Sequence, residues 1–144
     1  IFAVNVVGPM LCTREALSRM SKTINDDSTR GGSVVNISSG SAVIGRPLLY
    51  AMSKGALNSL TAGCVAELAA LGIRINTVSP GPTHTDMMSS FSTEDVAAMA
   101  EGTPMRRAGD AAEVAAGVAF LLSDDASYVS GTNLRIAGGK PLMG

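Results

Sequence analysis

Two runs of strand length bracket one long helical pattern, and that order restricts the folds open to this chain more than any other feature. Ser33 to Ser38 is apolar and β-branched and ends in small hydroxyl residues; Ile73 to Val78 is a second such run, stopped by Ser79-Pro80-Gly81. Between them lies a Gly/Pro-containing loop from Ser39 to Tyr50. Apolar residues then recur at Leu57, Leu60, Cys64, Leu68 and Leu71 until Gly72, the C-terminal glycine. A strand, a helix and a strand with short links predict a parallel, right-handed crossover. Both strand ends then open onto one edge of an α/β sheet, the edge where such folds hold ligands. Asn133 to Ala137 reads as a third strand, closed by Gly138-Gly139.

The flanking segments supply helices. Ile1 to Met20 opens inside an apolar periodic pattern, with no initiator Met and no cap, so the chain reads as part of a longer polypeptide. Met10, Leu11, Leu17, Met20 and Ile24 keep a helical face, which Gly8-Pro9 should bend or open. Asn5, one turn earlier, is a candidate to point inward or to lie on the surface. Asn25 to Gly32 is a loop by composition. Ser92 with Asp95 starts a short helix through Ala100, and Asp110 with Glu113 has the spacing of a capping box opening a helix from Ala111 to Leu122. Pro82 to Phe91 has no strong period. Its Thr83, Thr85 and Asp86 can hydrogen-bond beside the sheet edge, Met87, Met88 and Phe91 can line an apolar pocket, and the loop as a whole suits a mobile lid.

Composition removes several classes. With 144 residues and 46% hydrophobic content, the chain can bury a single core. A net charge of −1 and no basic run argue against nucleic acid and anionic membranes as partners. No apolar run approaches the length of a membrane span. Cys12 and Cys64 form no C-x-x-C and read as reduced core thiols of a cytosolic protein. The chain has one histidine, His84, which leaves little for an imidazole metal site or for a triad with Asp86 and a serine.

Tyr50 and Lys54 stand four apart, so on a helix they lie on one face, one turn from each other. An ammonium within a few ångströms of a phenol favours the phenolate. Such a tyrosine can give or take a proton, and a nearby serine hydroxyl can hold the substrate oxygen. The same helix has an unusually small side at Ala62, Gly63, Ala66, Ala69 and Ala70, suited to close packing within the domain or across a two-fold axis. Two other readings remain open: a non-catalytic interaction module pairing through that helix, and a serine hydrolase built on Ser39 and Lys54.

In order, the segments VNVVGP, VVNISS, YAMSKGAL, GIRINTVSPG with T-D-M after it, and SGTNLRIAGG resemble the short-chain dehydrogenase/reductase family. Within it the chain is similar to the 3-oxoacyl-carrier-protein reductases and glucose dehydrogenases. The resemblance covers nearly all 144 residues and implies the last three strands, with their helices, of a doubly wound Rossmann-like sheet. Residues 1–144 would be a single C-terminal catalytic portion. By the resemblance, Tyr50 is the general acid/base, Lys54 binds the nicotinamide ribose and activates Tyr50, Ser39 holds the substrate oxygen, and Asn5 positions a relay water. Tyr50, Lys54, Pro80, Gly81, Thr83 and Thr85 would border NAD or NADP, no metal would be needed, and a ketone or secondary alcohol would be the substrate. The family habit also implies homodimers or homotetramers through helices near 1–24 and 50–71, and a cytoplasmic location.

Departures from the family pattern are specific. The interval from Ser39 to Tyr50 is about two residues short, which leaves Ser38 as a rival to Ser39. Met52 stands where a small residue is common, and Ala137 replaces an acidic residue before Gly138-Gly139. A G-x-x-x-G-x-G phosphate turn occurs nowhere in the sequence. These residues alone are therefore expected to border a nicotinamide without retaining the dinucleotide, and Ser33 to Ser38 is expected to form an apolar sheet edge.

Overall fold

The computed structural model describes residues 1–20 and 31–141. Ile24 and most of the loop predicted at 25–32 lie outside the described residues. The described elements are helix α1 (Gly8–Met20), strand β1 (Ser33–Ile37), a short helix α2 (Ser41–Ile44), helix α3 (Leu48–Ala70) and strand β2 (Arg74–Pro80). They continue with strand β3 (Thr83–His84), helix α4 (Thr93–Glu101), strand β4 (Gly109–Asp110), helix α5 (Ala111–Leu122) and strand β5 (Asn133–Ile136).

The sheet has order β1-β2-β5 and is parallel throughout, with Val34 opposite Ile75, Asn36 opposite Thr77 and Val78 opposite Leu134. Arg74 donates to Gly32 and Ser38 to Val78, whereas Thr77 donates to Thr132 and Gly81 to Ile136. Alternate residues of β2 thus serve the two neighbours, and the N–H and C=O groups of Ser33, Val35 and Ile37 point away from the sheet. Among the described residues β1 has no strand on that side, as expected of an edge.

Helices cover both faces, the doubly wound arrangement. On one face Leu68 of α3, Ile73 just before β2 and Ile75 within it form a buried cluster, joined by Leu17, Met20, Val34, Cys64 and Val65. On the other, Arg74 reaches under α5. Its guanidinium donates to the carbonyls of Leu121 (2.7 Å), Ser123 (3.0 Å) and Val129 (3.3 Å), a cation placed at the negative end of a helix.

Local chemistry accounts for the boundaries. Proline at position 9 cannot donate to the preceding turn, and the chain answers with a π-helical turn over Ala3–Val7, in which Gly8 N–H reaches the Ala3 carbonyl. Gly72 follows α3 with φ 71°, and the Leu68 carbonyl accepts from Ile73 at 2.9 Å. Ser92 caps α4 by accepting from Asp95 at 3.1 Å, and Glu113 closes its half of the capping box on the Asp110 N–H at 2.8 Å.

Four expectations need correction. The loop from Ser39 to Tyr50 contains α2, and α3 begins at Leu48, before Tyr50. Strand β2 does not stop at Ser79: it runs through Pro80, because the proline's missing N–H faces the side on which β1 has already ended. The aperiodic segment 82–91 holds β3, paired parallel with β4, and a 3-10 turn at Asp86–Ser90. Cys12 is exposed rather than in the core, whereas Cys64 is half-buried; both thiols are free.

Candidate active site

The sheet's C-terminal edge carries Ser38, Ser39, Pro80 and Gly81, and Lys54 reaches it from α3. β1 ends one residue before Ser38-Ser39, and β2 delivers Pro80 and Gly81 to the same edge, where Gly40 N–H reaches the Pro80 carbonyl at 3.2 Å. Gly81 lies against the end of β5. A Cβ there would sit 2.8 Å from the Ala137 Cα, so only glycine permits this approach.

Tyr50 and Lys54 occupy one face of α3, with the Lys54 Nζ 5.8 Å from the centroid of the Tyr50 ring. The ammonium donates to the Ile37 carbonyl at 2.9 Å, one of the groups on the open edge of β1. At the other end of the same residue, the Lys54 carbonyl accepts from Ser38 Oγ at 2.9 Å. Partial burial of the amine lowers its pKa below the ordinary 10.5, because desolvation penalises the charged form.

The two serines separate by environment. Ser38 is 3% exposed and its hydroxyl is engaged with the helix. Ser39 is half-buried, and its Oγ accepts from the Ser41 N–H at 3.1 Å, an ST turn that starts α2. The shortened interval before Tyr50 is therefore occupied by a turn of helix packed on α3.

Asn5 does point inward. Its Nδ2 donates to Ser53 Oγ at 3.0 Å, and Ser53 donates to the Tyr50 carbonyl at 2.7 Å. Ser53, fully buried, was not singled out in the sequence. The available signal was a small hydroxyl residue three after Tyr50 on the same helix, where it can bond back to the preceding turn.

Beyond β2, Thr83 Oγ1 donates to the Gly81 carbonyl at 3.0 Å, and Thr85, exposed, donates to the Thr83 carbonyl at 3.4 Å. Met87 and Phe91 are exposed as well. His84 and Asp86 are both exposed, no hydrogen bond joins Ser39 to Lys54 among the described residues, and no group of three metal-ligating side chains occurs among them.

Two concavities flank this edge. A groove of about 440 Å³ follows the open side of β1 and is lined by Val4, Asn5, Val35, Ile37, Lys54 and Leu57. A pocket of about 320 Å³ lies beyond β2, between Pro82, Thr83 and the Ile136–Gly139 turn, with Arg107 and Glu113 on its wall. Neither is lined by Tyr50 or Ser39. The Arg107–Glu113 pair was also missed; the capping box gave half of it, but the partner six residues away depends on the loop's path.

Residues 1–140 match the protein family described as Enoyl-(Acyl carrier protein) reductase. An uncharacterised oxidoreductase of Escherichia coli, YgfF, is 43% identical over 97% of this chain and 57% of its own length. A glucose and ribitol dehydrogenase homologue of Oryza sativa is 38% identical over 96% of this chain and 47% of its own. Among solved structures, the angucycline C-6 ketoreductase LanV with bound NADP superposes with a TM-score of 0.84 at 29% identity, over 96% of this chain and 52% of that one. A 3-oxoacyl-[acyl-carrier protein] reductase from Brucella melitensis gives 0.80 at 31% identity, covering 94% and 49%. The chain thus spans about half the length of the relatives it matches.

Proposed function

Because this chain belongs to the short-chain dehydrogenase/reductase family, we propose that it carries the catalytic half of an NAD(P)-dependent oxidoreductase that interconverts a ketone and a secondary alcohol. The observation that carries this reading is the Lys54 ammonium, tied to the Ile37 carbonyl and 5.8 Å from the Tyr50 ring, at the sheet edge where ligands bind in parallel α/β folds. The NADP-bound ketoreductase among the solved structures supports the cofactor.

The residues present suit the nicotinamide end of a dinucleotide. An ammonium has three donors, and Lys54 has one protein acceptor among the described residues, which leaves donors for a ribose. Pro80 and Gly81 would border the ring, and Thr83 and Thr85 its carboxamide and diphosphate. When bound, the nicotinamide supplies or accepts the hydride. Tyr50 then exchanges a proton with the substrate oxygen, and Ser39 holds that oxygen; Ser38, engaged with α3, serves as an anchor. Asn5 fixes the turn bearing Tyr50 through Ser53 and supports the relay behind Lys54.

The exposed apolar residues Phe2, Val7, Met10 and Leu11 near the first helix, Leu48, Leu49 and Met52 at the start of α3, and the exposed small side at Ala62, Gly63 and Ala66 support pairing of copies into dimers or tetramers. No helix among the described residues is long and apolar enough to cross a membrane.

Tyr50→Phe, measured on the intact natural polypeptide, tests the catalytic reading. Turnover is expected to fall by about 10²-fold or more, as for loss of a general acid/base. Unchanged turnover would favour the interaction module.

A further inference from the structure

The contact between α3 and the sheet changes character along its length. At one end it is the apolar cluster around Leu68 and Ile75; toward the C-terminal ends of the strands it becomes polar. Val34, Asn36 and Ser38 of β1 and Ile75, Thr77 and Ser79 of β2 alternate onto the face that α3 covers. Asn36 Nδ2 donates to Thr61 Oγ1 at 3.1 Å, and Thr77 Oγ1 donates to the same oxygen at 2.8 Å. One step further on, Ser38 Oγ reaches the Lys54 carbonyl at 2.9 Å.

Helix α3 runs against the strands, so its residues meet the sheet in reverse order: Leu68 by Ile75, Thr61 by Thr77, Lys54 by Ser38. Asn58 lies one turn after Lys54 and one turn before Thr61. Ser79 lies two residues beyond Thr77 and level with Ser38, whose N–H reaches the adjacent Val78 carbonyl. Asn58 and Ser79 are therefore brought to the same level of one interface. Among the described residues, the buried side-chain oxygens with no hydrogen-bond partner are Asn58 Oδ1 and Ser79 Oγ, and Ser79 is only 2% exposed. Buried polar groups nearly always have a partner, either protein or ordered water, so two atoms on these elements without a protein partner point to a water.

We propose that Asn58 and Ser79 share one internal water, and that this bridge positions the Tyr50–Lys54 face of α3 against the end of β2. The water would donate to Asn58 Oδ1 and bond Ser79 Oγ. The Ser38 hydroxyl, whose proton goes to Lys54, offers a lone pair as the third partner, within the two to four polar contacts typical of buried water. The bridge matters because Ser79 immediately precedes Pro80-Gly81, and Asn58 is the next residue along the helix face after Lys54. It would hold the turn carrying the amine to the strand end that borders the nicotinamide. The positioning role rests on the catalytic reading; the water site does not.

The test is a double-mutant cycle of Ser79→Ala and Asn58→Leu, read by thermal unfolding and by the pH dependence of kcat, both on the intact polypeptide. Each single variant should lower Tm by about 2–4 °C. The double variant should cost no more than the worse single, because removing both partners leaves no orphan. Additive losses, or singles that raise Tm, would overturn the shared site. In kcat, Asn58→Leu should cause a several-fold loss and move the pH limb with KM little changed. Thr61→Val, which breaks the polar contact one turn away, should lower Tm without moving that limb. A coupled thermal cycle with an unmoved pH limb would leave the water structural and overturn the positioning role. Full activity of Tyr50→Phe would instead overturn the catalytic reading while the thermal cycle stood.

Discussion

At the scale of single residues, the charged groups make separable predictions. Lys54 is partly desolvated, so its folded-state pKa lies below the unfolded value near 10.5. Between those two values the unfolded chain binds more protons, and stability rises with pH through that window; below it the penalty is complete. Wild type should therefore gain stability relative to Lys54→Met as the pH climbs from neutral toward 10.5, read by urea unfolding at the two ends. Glu113 has the opposite sign. Hydrogen bonds from the Arg107 guanidinium, then from the Asp110 N–H, hold it at about 2 against an ordinary 4.5. Its contribution is complete above 4.5 and is lost as pH falls toward about 2, so Glu113→Gln should flatten the acid limb of stability across that interval. The pair is exposed, so the change should be modest and should shrink in high salt. The placement of Tyr50 and Lys54 on one helix face, and of Ser39 just past a strand end, was legible from their spacing and strand-end context. Ser53 and the anchoring use of Ser38 were not, since a hydroxyl's partner is decided by which turn of which helix lies over it.

At the scale of elements, the parallel order was readable from apolar runs with a helical stripe between them, and the α5 boundaries from Asp110 and Glu113. What escaped was short or imposed by a neighbour. Helix α2 has four residues, and β3 and β4 have two each, lengths at which tertiary contact outweighs local preference. The end of α5 shows such a contact from the other side. Three carbonyls near it accept from Arg74, a residue that reads locally as a polar interruption of an apolar strand. Arg74→Met should leave those carbonyls underserved and cost about 1–3 kcal/mol in chemical denaturation. Arg74→Lys should recover part of it, because a single ammonium cannot match the guanidinium's fork.

At the scale of the whole molecule, the apolar edge expected at Ser33 to Ser38 is present among the described residues, and its Ile37 side chain is 43% exposed. An unprotected edge templates pairing with further chains. The isolated 144 residues should associate as concentration rises, and Ile37→Lys should shift the population toward monomer in sedimentation velocity. Equal association by both would place the contact on the exposed apolar helices instead. With no glycine-rich phosphate turn in these residues, the isolated chain should not bind NAD(P) in the micromolar range, which calorimetry would check.

The two bonds made by Lys54 have a consequence for how the helix can move. Its carbonyl is gripped by Ser38 and its amine by Ile37, neighbours in sequence, so the residue straddles the rim of the sheet like a stirrup. Sliding α3 by one position would release both grips together. While the Ser38 grip holds, the stem of the amine starts from a fixed point on the rim, and only its four-carbon tether is left to move.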